Sequence, residues 1–384
     1  MITRRLRIKE VVRDHQIGIV SPHDFVVEQG EPISSAEVLA DPRFTFYCFD
    51  PGNKAALFVE GRDPAATDRA PFYYQGQIDQ AEGLVSMPLD EFHRVAKQIP
   101  PPPAHLIFVH SVGRCGSTLM SKVLQAVPGV HSLSEPDDLT QLVLLRTTRE
   151  ASEEWVRAAL ASSIRWRCKV RTGVPARFVA IKPRSEVMVL GDLLGELYPE
   201  ARHFFLYRNA VAWMRTIYRT FRGERDLYDN DLNRQMEEGW ARMLPLVRDL
   251  RVPEAPMNPI QIRILGWSTC MEGYLRLCSG DLALCAARFE DLTADPVGIL
   301  RQFFRFCEIE DVDWSAVDEV LSRDSLAGTI YDREERAKQT RELTDALVQD
   351  IYDVLASRPL LGSPDLVLPK TLRLEEPPLS GLMR

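Results

Sequence analysis

Residues Leu106 to Glu135 read LIFVHSVGRCGSTLMSKVLQAVPGVHSLSE, and the order of residue types in this stretch decides the fold. Leu106, Ile107, Phe108 and Val109 form a continuous apolar run after prolines, the pattern of a strand covered on both faces in a parallel sheet. Gly113 and Gly116 bracket Arg114 and Cys115, and glycine lets a backbone turn sharply and come close to a ligand. Ser117 and Thr118 then open a helix whose apolar positions Leu119, Met120, Val123, Leu124 and Val127 share one face, with Pro128 just past its end. A helix N-terminus carries unpaired N–H groups and a partial positive charge of about half a unit. Strand, glycine loop and helix therefore make an anion cradle, and the expected anion is a phosphate.

Gly113-Arg114-Cys115-Gly116-Ser117-Thr118 differs from the ATP and GTP loop G-x-x-x-x-G-K-[ST], whose lysine reaches the outer phosphates and whose hydroxyl holds magnesium. No Gly-Lys-Ser/Thr is present, and the cation, Arg114, precedes the second glycine. A glycine-bearing turn of this kind can also bind nothing, so its meaning depends on the residues around it.

Outward from the loop toward the C-terminus, the chain alternates. Trp155 to Ile164 is helical in pattern, Phe178 to Ile181 is a strand run ending at Lys182, and Gly191 to Leu197 is helical again. His203 to Tyr207 is a strand run ending at Arg208, followed by a helix over Ala210 to Phe221 and a longer one over Gln261 to Leu277. Leu282 to Phe289 is a further strand, and Asp295-Pro296 opens a helix to Phe306. Repeats of this length mean right-handed crossovers and a mainly parallel sheet flanked by helices, an α/β class. Ligands of such sheets bind at the carboxyl ends of the strands, where Arg114, Lys182 and Arg208 all fall. Leu343 to Leu355 carries the apolar stripe of an ordinary packing helix.

These positions resemble the PAPS-dependent sulfotransferases. The loop Gly113, Arg114, Cys115, Gly116, Ser117, Thr118 is similar to that family's 5′-phosphosulfate loop. Leu206-Tyr207-Arg208-Asn209-Ala210 with Thr216, eight positions after Arg208, resembles its 3′-phosphate motif, with Thr216 where serine is usual. Arg288-Phe289-Glu290-Asp291-Leu292 with Asp295-Pro296 is similar to its R-Y-E-D-L…D-P signature. Glu135, 21 positions after Arg114, aligns without a gap beside the general base of tyrosylprotein sulfotransferases and related bacterial enzymes. The K-x-H base of the steroid and phenol enzymes is absent, because Lys182-Pro183-Arg184 stands there and arginine cannot serve as a base near neutrality.

The resemblance implies a P-loop-type three-layer fold and transfer of a sulfuryl group from PAPS (3′-phosphoadenosine 5′-phosphosulfate) to a hydroxyl or an amine, with adenosine 3′,5′-bisphosphate as product and no metal. Glu135, Lys182 and Arg114 would be catalytic, and Gly113, Arg114, Cys115, Gly116, Ser117, Thr118, Arg208 and Thr216 would hold the donor. Glu135 is expected to be ionised beside neighbouring cations, with His131 or His110 as replacement bases. Asp324 to Thr329 resembles a loop near the cofactor in bacterial relatives. Bland alternatives are a helix-start carboxylate at Glu135, a solvated strand-end cation at Lys182 and a plain loop at Asp324 to Thr329. Two other functions stay open: a P-loop kinase or nucleotide hydrolase, and a non-catalytic nucleotide or partner binder.

The remaining residues set the frame. A length of 384 residues exceeds the usual single core and divides into an N-terminal α+β segment, 1–99, and a sulfotransferase-like segment, 104–384. Pro100 to Pro103 read as a stiff linker, with an SH3-type ligand as a second reading. Phe44 to Phe49 and Ala55 to Val59 form a hairpin about Asp50-Pro51-Gly52-Asn53; Phe72-Tyr73-Tyr74 suggests a strand and Leu89 to Ile99 a helix. The charge run Arg165, Arg167, Lys169 and Arg171 reads as a solvated face. A net charge of −8 argues against nucleic acid or an anionic membrane as partner, leaving a sulfate acceptor and, in a homo-oligomer, further copies of the chain. Seven scattered cysteines without C-x-x-C spacing read as free thiols, and with no signal peptide or apolar span the expected location is the cytoplasm.

Overall fold

The computed structural model describes residues 2–13, 18–101, 105–169, 176–219, 229–251, 255–327, 329, 338 and 341–373. Pro102 and Pro103 of the linker, residue 104, Arg171, the last two residues of the helix expected to reach Phe221, and Gly328 lie outside the described residues.

Five strands form a parallel sheet: β6 (His105–Ser111), β7 (Val130–Ser134), β8 (Phe178–Lys182), β9 (Arg202–Tyr207) and β10 (Ala283–Arg288), in the order β10-β9-β6-β8-β7. The apolar run of β6 is continuous because both its faces are covered. Ile107 and Val109 enter one core with the helices Ser117–Gln125, Ala210–Tyr218 and Pro259–Cys278, while Leu106 and Phe108 enter another with Asp138–Thr148 and Glu153–Arg167. From β6 the chain runs to the edge strand β7, returns to β8, and then crosses to β9 on the other side of β6. Strand order reverses at β6, so the loops leaving β6, β8 and β9 open onto one crevice.

The second sheet is antiparallel, β2-β1-β5-β4-β3, from β1 (Arg4–Val11), β2 (Phe25–Pro32), β3 (Phe44–Asp50), β4 (Ala55–Gly61) and β5 (Ala81–Pro88). The β3–β4 hairpin turns where expected, with Asn53 N–H donating to Asp50 Oδ1 at 3.1 Å. Its inner aromatic face joins the second core: Phe58 meets Trp166 at 4.7 Å between ring centres and Phe49 meets Trp155 at 5.4 Å.

Two sequence expectations are overturned here. Phe72-Tyr73-Tyr74 is no strand; Tyr73–Gln80 is a helix that buries Tyr73, Tyr74 and Gln77, a helical rather than a two-residue spacing. Gln77 is drawn inward by hydrogen bonds to Thr45 Oγ1 (2.8 Å) and Phe46 O (2.9 Å). The charge run is no solvated face either. Arg167 and Lys169 are buried; Arg167 donates to Phe46 O at 2.9 Å and pairs with Asp138, and Lys169 donates to Val38 O (2.7 Å), Asp41 O (2.6 Å) and Phe44 O (3.3 Å). Arginine and lysine stems bury readily when their heads find carbonyl or carboxylate partners, and here they tie the antiparallel sheet to the helix beneath it. The cysteines are all free thiols, and among the described residues no helix is long and apolar enough to cross a membrane.

Candidate active site

The turn after β6 is held by main-chain geometry and one tryptophan. Gly113 (φ +74°), Arg114 (φ +51°) and Gly116 (φ +86°) all lie in the left-handed region, which costs a residue bearing a Cβ about 1 kcal/mol. Val112 N–H donates to Leu206 O (3.1 Å), Gly113 N–H to Ser111 Oγ (3.2 Å), and Trp213 Nε1–H to the carbonyls of Val112 (3.1 Å) and Gly113 (3.0 Å). Gly116 is the N-cap of the helix Ser117–Gln125 and supplies no side-chain acceptor to its first amides. Cys115 turns into the core: its thiol donates to Leu206 O at 3.3 Å, and burial pushes its pKa up to about 12. Any contact from Cys115 to an anion is therefore through its main chain.

Glu135 follows the edge strand β7, and Lys182 ends its neighbour β8, with Ser134 opposite Lys182 in the ladder. Glu135 N–H donates to Lys182 O (2.6 Å), and the Lys182 ammonium donates to Glu135 Oε1. The Lys182 side chain is buried and that of Glu135 partly exposed. Glu135 holds φ at +60°, a strained setting for a non-glycine residue of the kind that clusters at functional sites.

Arg208 follows β9, and Trp267 fixes its carbonyl through an indole N–H at 3.1 Å. Its Nη1 donates to Thr216 Oγ1 (2.9 Å), and its guanidinium lies over Phe289, 4.5 Å from the ring centre. Burial lowers the Arg208 pKa, and Glu290 partly restores it. Its Nε is buried without a hydrogen bond, with Glu290 Oε1 3.8 Å away. A buried guanidinium N–H without an acceptor fits a phosphate oxygen.

All of these groups meet. Arg114, Ser117, Thr118, Glu135, Lys182, Arg208 and Thr216 line one cavity of about 970 Å³, as do Asp324, Ser325 and Leu326 of the loop that sequence alone could not assign. The two candidate replacement bases do not line it. His110 is buried against His203, Nε2 to Nδ1 3.1 Å, and burial lowers both pKa values, that of His203 to about 4; His131 stands 4.0 Å from Asp68.

In the sequence Arg184 marks only the absence of a histidine, yet it organises this end of the cavity. Its Nε lies 2.8 Å from Asp137 Oδ1 and 3.8 Å from Glu135 Oε2, and its Nη2 donates to Gly18 O at 3.0 Å. Burial works against its charge, but Asp137, Tyr74 and Glu135 hold its pKa above the ordinary value. Burial raises the Asp137 carboxyl to about 6, with Arg184 pulling the other way.

The fold is α/β with an anion-type turn at its switch point, and the cavity there gathers cations, Arg114, Lys182, Arg184 and Arg208 among them, around the Glu135 carboxylate, a setting suited to an anionic ligand. Residues 106–314, more than half of the chain, match the model of the sulfotransferase family, and the chain belongs to that family. Among solved structures it is similar to a sulfotransferase from Alicyclobacillus acidocaldarius at 15% identity, with a TM-score of 0.38 over 66% of this chain and 94% of that one. It is also similar to sulfotransferase STF1 from Mycobacterium tuberculosis H37Rv at 14% identity, with a TM-score of 0.40 over 69% of this chain and 81% of that one. The sulfotransferase domain of the Synechococcus PCC 7002 olefin synthase gives 17% identity and a TM-score of 0.36, over 66% and 94% of the respective chains. No curated protein matches the chain.

Proposed function

We propose that the chain is a PAPS-dependent sulfotransferase acting on a hydroxyl or, less favourably, an amine, with Glu135 as general base. Residues 104–384 are then the transferase unit and 1–99 an accessory α+β segment. The observation that carries the reading is the Glu135–Lys182 pair at the ends of adjacent strands, inside the cavity that the anion-type turn also lines.

The donor supplies the sulfuryl group, whose bond to the 5′-phosphate oxygen breaks as a bond to the acceptor oxygen forms. Arg208 and Thr216 hold the 3′-phosphate; Arg114 and the amides from Gly116 to Thr118 hold the 5′-phosphate end. By analogy with phosphoryl transfer, a loose transition state leaves little covalent work to the protein, so positioning and fixed positive charge dominate. Lys182 faces the charge that develops on the oxygen parting from sulfur, and Glu135 takes the acceptor's proton. The ion pair between them is the resting arrangement: as negative charge arrives on the donor side, Lys182 turns toward it and Glu135 is left as the acceptor of a proton.

Glu135→Gln keeps the shape of the side chain and removes the proton acceptor. Turnover with PAPS should fall at least about a hundredfold while the affinity for adenosine 3′,5′-bisphosphate stays within about threefold. Near-normal turnover in the variant removes Glu135 as base. In calorimetry the wild type should prefer adenosine 3′,5′-bisphosphate to AMP and to ATP with magnesium. Preference for ATP with magnesium would make it a kinase or hydrolase, and indifference to all three a partner binder.

A further inference from the structure

The family match begins at residue 106, yet Gly18, Ile19, Phe72 and Tyr74 also line the cavity. They are built in. Gly18 O accepts hydrogen bonds from Arg184 and from Arg13, and Val20 N–H donates to Asp137 Oδ2 at 2.8 Å. The Tyr74 ring has the Arg184 guanidinium 4.6 Å from its centre and that of Arg13 at 5.2 Å; Arg13 in turn pairs with Asp24 at 2.9 Å. Residues 18–20 and Tyr74 are thus fixed one guanidinium away from Glu135.

Sheet order separates this wall from the phosphate-holding residues. The turn after β6 and Arg208 after β9 lie on one side, and Glu135 after β7 with Arg184 after β8 lies on the other, with Lys182 between. Ile19 and Phe72 contribute only apolar surface, and Met243, Leu244 and Ile262 add more to the same cavity. A sugar ring carries hydroxyls around its edge that need partners once buried; Ile19 and Phe72 offer none, and the polar groups beside them, Arg184 and Tyr74, are packed on each other at 4.6 Å.

We propose that Gly18 and Ile19 with Phe72 and Tyr74 form the acceptor wall of the site, latched there by Arg184, and that the acceptor is an alcohol or phenol whose hydroxyl sits on an uncharged apolar body. This rests on the reading of Glu135 as the base. The wall is supplied by the segment outside the family match, so residues 1–99 take part in acceptor choice in this chain.

The test uses the full chain saturated with adenosine 3′,5′-bisphosphate, with 2-naphthol and glucose as probes in calorimetry. Ile19 and Phe72 are half-buried, so Ile19→Asp and Phe72→Ser should keep the fold, which a melting curve checks. Wild type should bind 2-naphthol in preference to glucose. Each variant should weaken 2-naphthol about tenfold or more while bisphosphate affinity changes less than about twofold. Unchanged 2-naphthol binding in both variants, or glucose bound as well as 2-naphthol by the wild type, overturns the proposal. Failure of the wild type to bind the bisphosphate is a separate result and brings down the sulfotransferase reading itself.

Discussion

The turn after β6 and the pair Gly18 and Ile19 line one cavity and are held by different means. The turn is local: its glycines, its left-handed Arg114 and the helix after it follow one another in the chain, and Trp213 pins it through two carbonyls. Residues 18–20 are held from far away, with Arg184 and Gly18 separated by 166 positions. On the proposed reading, the donor half of the site keeps its shape as long as the parallel sheet stands, whereas the acceptor half depends on a charge network between segments. A donor site that must recognise one molecule gains from the first arrangement; an acceptor site that varies among relatives gains from the second.

The comparison can be pressed hardest at Arg208. Arg208→Ala should weaken adenosine 3′,5′-bisphosphate by about 2 to 4 kcal/mol, the loss of a charge-assisted contact in a partly dry site, while AMP is hardly affected. Equal losses for both ligands would make Arg208 structural and the two halves alike. Acid titration separates the halves by sign. His203, buried in β9 under the donor half, has a folded pKa of about 4 against an ordinary 6.5, so its stabilisation is full above pH 6.5 and is lost as pH falls toward 4. Asp137, under the acceptor half, has a folded pKa raised to about 6 against an ordinary 3.8, so its contribution is full below 3.8 and is lost as pH rises through 6. In urea unfolding, His203→Phe should flatten the acid loss and Asp137→Asn the opposing slope, each by on the order of 2 kcal/mol. Identical pH profiles for wild type and both variants would refute the contrast. The smallest effect is expected at Trp213→Phe, which removes both turn-pinning hydrogen bonds and should cost about 1 to 2 kcal/mol of stability with a matching loss of bisphosphate affinity. Weaker 2-naphthol binding with unchanged bisphosphate affinity would reverse the assignment of the turn.

Arg114, Lys182 and Arg208 are legible in the sequence because each follows a run of apolar residues whose length and neighbours mark a buried strand. The edge strand Val130–Ser134 is not, since VHSLS is short and half polar. Nor is β1, where RRLRIKEV is largely exposed and finds its partners only across the antiparallel sheet. Tyr73 and Tyr74 mislead because aromatic residues bury as well on a helix as in a strand, and Gln77, the residue that decides, acts through Thr45 and Phe46. Arg167 and Lys169 mislead for a related reason: a charged residue reads as solvated until the carbonyls that receive it are known. Arg184 carries no pattern of its own, because its role is set by Asp137, Gly18 and Tyr74 together.

The aromatic face of the β3–β4 hairpin has a consequence for synthesis. Phe49 and Phe58 complete their packing only against Trp155 and Trp166, on a helix that follows them by roughly a hundred residues. At about 5 to 20 residues per second, the nascent antiparallel sheet, whose aromatic face Phe92 covers in part, waits on the order of ten seconds for the two tryptophans. Once the helix docks, the buried Arg167 and Lys169 bind carbonyls of β3 and of the segment just before it, so an early part of the chain is locked by a later one.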